Sequence, residues 1–255
     1  MGEKIQELIF SINHGGLGDR FCMLSNILHT MQHSPAGSVK LKAYLYPQDE
    51  ADKKLRNNLK FNNLFEVIDF LHLERPNDPF LEDSVELLNE HSEHFEGFMK
   101  NVENEMYRSF NDTLLRDAKY WPVRYEKFAK KKYITYLLYH TEKLHFGQSH
   151  KILTIEQIDA FKNLISNMTE LSDRLEFVEL EDYNYAKNIE LLSKSYFHIG
   201  SEGMWTHLSR AMNVYTIAYS LLDEFIGEFN QQGHFCSKEF LECLEKMKEK
   251  SRELL

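Results

Sequence analysis

Short apolar runs alternate with amphipathic segments of helical period along this chain, and that alternation limits the fold more than any other feature. Glu7-Leu8-Ile9-Phe10-Ser11-Ile12 reads as a strand, broken by His14-Gly15-Gly16-Leu17-Gly18-Asp19. A helix is predicted over residues 19–33, with Phe21, Leu24, Leu28 and Met31 on one face, Met23 and Ile27 at its border, and Ser25, Asn26 and His29 opposite. Pro35 and Gly37 end it. Residues 41–46 read as a strand, 51–59 as a helix and 64–71 as a third strand, which together give the βαβαβ order of a parallel sheet.

Residues 81–119 are acidic and helix-prone, with Leu87, Leu88, Phe95, Phe98, Met99, Met106 and Phe110 at helical intervals. Trp121-Pro122 marks a junction, after which the alternation repeats. Strands are expected over 133–139, 175–180, 196–199 and 214–218, and helices over 154–168, 184–194 and 202–212. Ser237 is placed to cap a final charged helix reaching Leu254. The expected architecture is α/β: two Rossmann-like domains facing a cleft, the first over residues 1–125 with a helical insertion, the second over 126–255.

Composition narrows the class. With 42% hydrophobic and 13% aromatic residues, the 255-residue chain can fill packed cores. A formal charge of −10 argues against a general nucleic-acid coat, although Lys130-Lys131-Lys132 forms a local basic run before the strand at 133. Cys22, Cys236 and Cys243 are odd in number and widely spread, which fits a reducing, cytoplasmic setting. No apolar run approaches the ~20 residues of a membrane span.

Two glycine loops carry the chemistry. Gly15-Gly16-Leu17-Gly18-Asp19-Arg20 joins a strand to a helix, where glycine lets a ligand approach the backbone and the helix start favours an anion. Asp19 there suits two roles, capping the helix or facing a ligand at the sheet's carboxyl edge. The second loop, Gly200-Ser201-Glu202-Gly203, leads into Met204-Trp205-Thr206-His207-Leu208. The amides of Gly203, Met204 and Trp205 can cradle a diphosphate, and Ser201 and Thr206 add hydroxyls. His207 borders the apolar face of this helix and suits either packing or binding.

Residues 185–203, running on to His207-Leu208 and Ala211-Met212-Asn213-Val214, resemble the donor domain of heptosyltransferase-like glycosyltransferases. Those are GT-B-type enzymes of two Rossmann-like domains that bind a nucleotide sugar in the C-terminal half. The Gly-Gly-Leu-Gly-Asp loop is similar to their N-terminal acceptor-side loop and to the Gly-rich loop of some fucosyltransferases. The resemblance implies Asp19 as general base. It puts the donor on Gly200, Ser201, Glu202, Gly203, Met204, Thr206 and His207, and the acceptor beside His14, Gly15, Gly16, Gly18 and Arg20. Lys143 is placed to join the amides after Gly203 in stabilising the leaving diphosphate. Ser209 stands where those families commonly have Ala, Glu202 where Asp or Ser is frequent, and His140-Thr141-Glu142-Lys143 in place of a His-x-Arg element.

The implied reaction is inverting transfer of a sugar from a nucleotide diphosphate to an acceptor hydroxyl. It requires no cofactor beyond the nucleotide-sugar co-substrate and no metal, since no Asp-x-Asp triplet is present. The acceptor is left open among a glycan, a lipid-linked molecule and a nucleic acid. Two other classes fit the same loops: a DNA-modifying glycosyltransferase of viral type, and a non-catalytic nucleotide- or glycan-binding protein.

Overall fold

The computed structural model describes residues 6–11, 18, 21–22, 24–25, 28–29, 32, 39–44, 64–76, 85–88, 120–139, 152–171, 176–181 and 184–254. The chain divides into two units, Met1–Arg124 and Tyr125–Leu255.

In the first unit, β1 (Gln6–Ser11), β2 (Val39–Tyr44) and β3 (Val85–Leu88) form a parallel sheet in the order β1-β2-β3. Leu8 lies opposite Leu41, and Leu41 opposite Val85. Helical residues between β1 and β2 place Phe21, Leu24 and Leu28 in the core, each fully buried, as their spacing predicts. Ser25 is buried too, rather than on the solvent face, because its hydroxyl donates to the Phe21 carbonyl at 2.8 Å.

Two segments differ from the sequence reading. Residues read as a third strand form a helix, α1 (Leu64–Phe70). Ile68 and Leu71, three apart, are both buried, so the apolar period here was 3.6 despite β-branched Val67 and Ile68. Leu87 and Leu88, read as helical, belong to β3 and supply the hydrogen-bond partners that the outer edge of β2 requires.

The second unit holds a five-stranded parallel sheet built from β4 (Tyr133–Leu137), β5 (Glu176–Glu179), β6 (Ser195–Ser201), β7 (Tyr215–Tyr219) and β8 (Phe235–Ser237), in the order β5-β4-β6-β7-β8. The connecting helices are α2 (Ile155–Leu171), α3 (Tyr185–Ser193), α4 (Met204–Ala211) and α5 (Asp223–Gln231), and α6 (Phe240–Arg252) closes the unit. Thr154 and Gln157 cap α2 reciprocally: each side-chain oxygen accepts the other's backbone N–H, at 3.3 and 2.9 Å.

The α5–β8 pair was not anticipated from the sequence. Ser237 ends β8 instead of capping the last helix. Its hydroxyl accepts from the Glu239 amide at 3.0 Å and donates to the Glu242 carboxylate at 2.6 Å.

The two faces of this sheet differ in chemistry. Ile134, Phe197, Ile199 and Ile217 pack with Phe161 and Met168 of α2 and with Phe240, Leu244 and Met247 of α6 in one apolar core. The other face carries a polar row, Thr135, His198 and Thr216, in register across β4, β6 and β7. Ser195 donates to Thr135 at 3.1 Å, and Ser209 of α4 shares a 2.7 Å hydrogen bond with Thr216. Small hydroxyl side chains at this face let α4 lie close to the strands.

Candidate functional site

The strand order makes β4/β6 the place where the chain reverses its direction of sheet building. β5 is added on one side of β4, and β6, β7 and β8 follow on the other. Crevices at such switch points, outside the carboxyl ends of the strands, are where open α/β sheets bind ligands. The Gly200–Gly203 segment stands at that position, and the Tyr139 amide ties the end of β4 to Ser201 Oγ at 3.0 Å.

Gly200 has a packing reason for its lack of side chain. A Cβ there would lie 2.9 Å from the Leu137 carbonyl oxygen, 2.9 Å from His198 Nε2 and 3.3 Å from Thr206 Cγ2. Absence of a methyl group thus lets the first turn of α4 press against the ends of β4 and β6. Helix α4 begins at Met204 rather than at Glu202, leaving Glu202 and Gly203 in the turn. The Glu202 amide donates to the Tyr219 carbonyl at 2.9 Å. The Gly203 amide donates to Thr206 Oγ1 at 3.0 Å, and that hydroxyl returns a bond to the Gly203 carbonyl at 2.8 Å.

Gly203 therefore contributes no free amide to an anion cradle. The first intrahelical bond runs from the His207 amide to the Gly203 carbonyl at 3.1 Å, so the amides of Met204 and Trp205 have no acceptor within the helix. These two donors, with the positive end of the helix dipole, are what the loop offers an anion. Residues 201–210 are all buried, so their side chains are committed to packing.

Behind the turn lies a buried charged cluster. His207 Nε2 meets Glu202 Oε1 at 3.2 Å, and the ring sits edge-on to Phe225 and Phe229, with centroids 5.7 and 6.1 Å away. One turn on, Arg210 Nη2 donates to Glu228 Oε1 at 2.7 Å and to Gln232 Oε1, and its guanidinium lies 3.9 Å over the Phe229 ring. Arg210, Glu228 and Phe229 carried no role in the sequence reading because their partner element, α5, was not recognised. The spacing of Glu228 and Gln232, one helical turn apart, was the available signal.

Other reactive side chains nearby are held inert. Burial pushes the Cys236 thiol up to about 12, and the negative Glu202 adds to this. Burial pushes His234 down to about 4, and its Nδ1 accepts the Thr216 amide at 3.2 Å. His198 is fully buried on β6, 3.2 Å from Thr135 Oγ1, and burial lowers it to about 3.

His198 sets a pH expectation. A histidine of ordinary pKa, about 6.5, takes up a proton in the unfolded chain as pH falls, whereas folded His198 stays neutral until about pH 3. Its contribution is complete above pH 6.5 and declines as the solution is acidified. Urea unfolding is expected to show about 2–3 kcal/mol lost to this group between pH 7 and 4.5. His198→Leu should flatten that slope by a similar amount; an unchanged slope in the variant would remove His198 as the cause.

Of the residues the sequence nominated, Gly200, Ser201, Glu202, Gly203, Met204, Thr206 and His207 come together in this one turn. Gly18 is buried and already helical, one residue earlier than expected. His14, Gly15, Gly16, Asp19, Arg20 and Lys143 lie outside the described residues. Among the described residues, no helix is long and apolar enough to cross a membrane.

No protein-family model matches the chain, and no curated protein does. Among solved structures it is similar to the bacterial iron-containing dodecameric glycosyltransferase TibC from enterotoxigenic E. coli. The identity is 15% and the TM-score 0.42, over 87% of this chain and 60% of that one. It is similar also to the dodecameric iron-containing heptosyltransferase TibC in complex with ADP-D-beta-D-heptose, at 13% identity and TM-score 0.41, over 88% of this chain and 62% of that one. The chain thus spans about three-fifths of the length of these structures. Likeness at this level leaves the functional reading to the chain's own residues.

Proposed function

We propose that this protein is a metal-independent glycosyltransferase of GT-B type that binds the diphosphate of a nucleotide sugar at the first turn of α4. The observation that carries this reading is the position of that turn. It lies at the β4/β6 switch point and presents the Met204 and Trp205 amides where the fold favours an anionic ligand. In this reading the amides stabilise the departing diphosphate as charge develops on it. Glu202 and His207, paired and buried behind the turn, hold its first residues in place. Lys143 adds positive charge to the donor side, and Asp19 takes the acceptor's proton, with His14, Gly15, Gly16, Gly18 and Arg20 shaping the acceptor side.

Met204 occupies the first helical position, where proline keeps the helix but deletes both the amide donor and the buried Met204 side chain. Met204→Ala, which keeps the amide, is the control for lost packing. Nucleotide diphosphates are expected to bind the wild-type protein in calorimetry. Met204→Pro should bind them about 10-fold or more weakly, the effect of losing one hydrogen bond to a charged group. Transfer from a panel of nucleotide sugars, run in chelator, tests the reaction itself. Unchanged nucleotide affinity in a folded Met204→Pro protein would move the donor site elsewhere. Transfer to duplex DNA alone would favour the DNA-modifying reading, and binding without turnover the non-catalytic one.

A further inference from the structure

The second unit opens with a feature that the donor site does not use. Residues 125–132, Tyr-Glu-Lys-Phe-Ala-Lys-Lys-Lys, precede β4, and the Ala129 amide donates to the Glu126 carbonyl at 3.2 Å to close a turn with Lys127 and Phe128 at its tip. Phe128 is 98% exposed, more than any other large apolar side chain among the described residues. The turn is tied down on both sides. Tyr125 donates its hydroxyl to the Met212 carbonyl at 2.8 Å, and the Lys132 and Tyr133 amides both donate to the Lys194 carbonyl, at 2.7 and 3.1 Å. A fixed turn thus holds an aromatic ring out into solvent.

Charge surrounds that ring. Lys127, Lys130, Lys131 and Lys132 are all exposed, against Glu126 and the Glu176 carboxylate that meets Lys132 at 2.8 Å. Lys131 lays its stem along the surface and donates to the Ser193 carbonyl at 3.0 Å, which keeps its charge beside the turn. The rest of this acidic chain, with −10 overall, repels an anionic surface, so the basic tip determines which side can approach one.

We propose that the Glu126–Ala129 turn is an anchor for anionic membrane surfaces, with Phe128 entering the interfacial layer while Lys127, Lys130 and Lys131 meet the headgroups. Aromatic rings flanked by lysines are suited to that layer, and each lysine near an anionic leaflet adds attraction. A single-stranded nucleic acid fits less well, since it needs a groove with successive stacking rings rather than one projecting ring. A two-fold contact of this turn with a second copy would set lysines against lysines. This inference needs no nucleotide sugar, so its outcome is separate from that of the donor site.

The test is sedimentation of the full chain with vesicles of equal parts phosphatidylglycerol and phosphatidylcholine, or of phosphatidylcholine alone. The wild-type protein is expected to sediment with the anionic vesicles only, and less so as salt is raised. Phe128→Ser should bind about 10-fold more weakly and Lys130→Gln about 5-fold more weakly, each with an unchanged melting temperature. Phe128→Trp should show a blue-shifted emission on anionic vesicles. Three results would overturn the proposal: wild-type protein left in the supernatant with anionic vesicles, equal binding by Phe128→Ser, or a loss in Phe128→Ser seen only with a single-stranded oligodeoxynucleotide.

Discussion

Asp19→Asn protein is expected to fold, bind nucleotide diphosphate as wild type does, and lose about 10²-fold or more in transfer rate. Asparagine caps helices about as well as aspartate, so a purely capping Asp19 would show near-normal turnover and a stability change below ~1 kcal/mol. Melting temperature, nucleotide affinity and transfer rate measured on one preparation separate the two roles. Near-normal transfer by the folded variant would remove Asp19 from the mechanism and direct attention to Glu202 or His14. The donor-side proposal survives either result, because the two loops belong to different units.

The largest stability effect is expected at Arg210. Its guanidinium and the Glu228 carboxylate are both buried, 2.7 Å apart, with Gln232 on the same nitrogen and Phe229 beneath. Arg210→Met strands the Glu228 charge in the interior and should cost about 3–5 kcal/mol in urea unfolding. Adding Glu228→Leu removes the stranded charge and should recover most of that loss, since apolar replacements of a buried pair are often close to neutral. If the single variant costs less than about 1 kcal/mol, water reaches Glu228 and the pair is not a closed ionic contact.

The parallel α/β class was legible because β1, β4, β6 and β7 are short apolar runs separated by segments of helical period. Residues 64–71 misled because Val67 and Ile68 suit strands by type, whereas the spacing of Ile68 and Leu71 suits a helix; packing followed the spacing. β3 escaped notice because four residues inside an acidic segment carry too little periodicity. β8 escaped for the same reason, being three residues long, and without it α5 had no visible destination.

At the candidate site, Ser201 to His207 could be gathered from their neighbourhood in sequence. The occupied Gly203 amide could not, since nothing in the residue order says that Thr206 turns its hydroxyl back to it. Nor could Arg210, whose partners lie 18 and 22 residues away.

The unequal faces of the five-stranded sheet have a consequence for how the protein tolerates change. Contacts among Ile134, Phe197, Ile217, Phe161 and Phe240 are non-directional, so exchanges that conserve volume leave α2 and α6 packed on the sheet. Helix α4 has no such freedom. The notch at Gly200 admits Thr206 at one height, and the Ser209–Thr216 bond sets the rotation. A sequence library should therefore find the greasy side forgiving of swaps that conserve volume. On the hydroxyl side, the loss of one methyl group or the gain of another would shift the Met204 and Trp205 amides together, as a rigid pair.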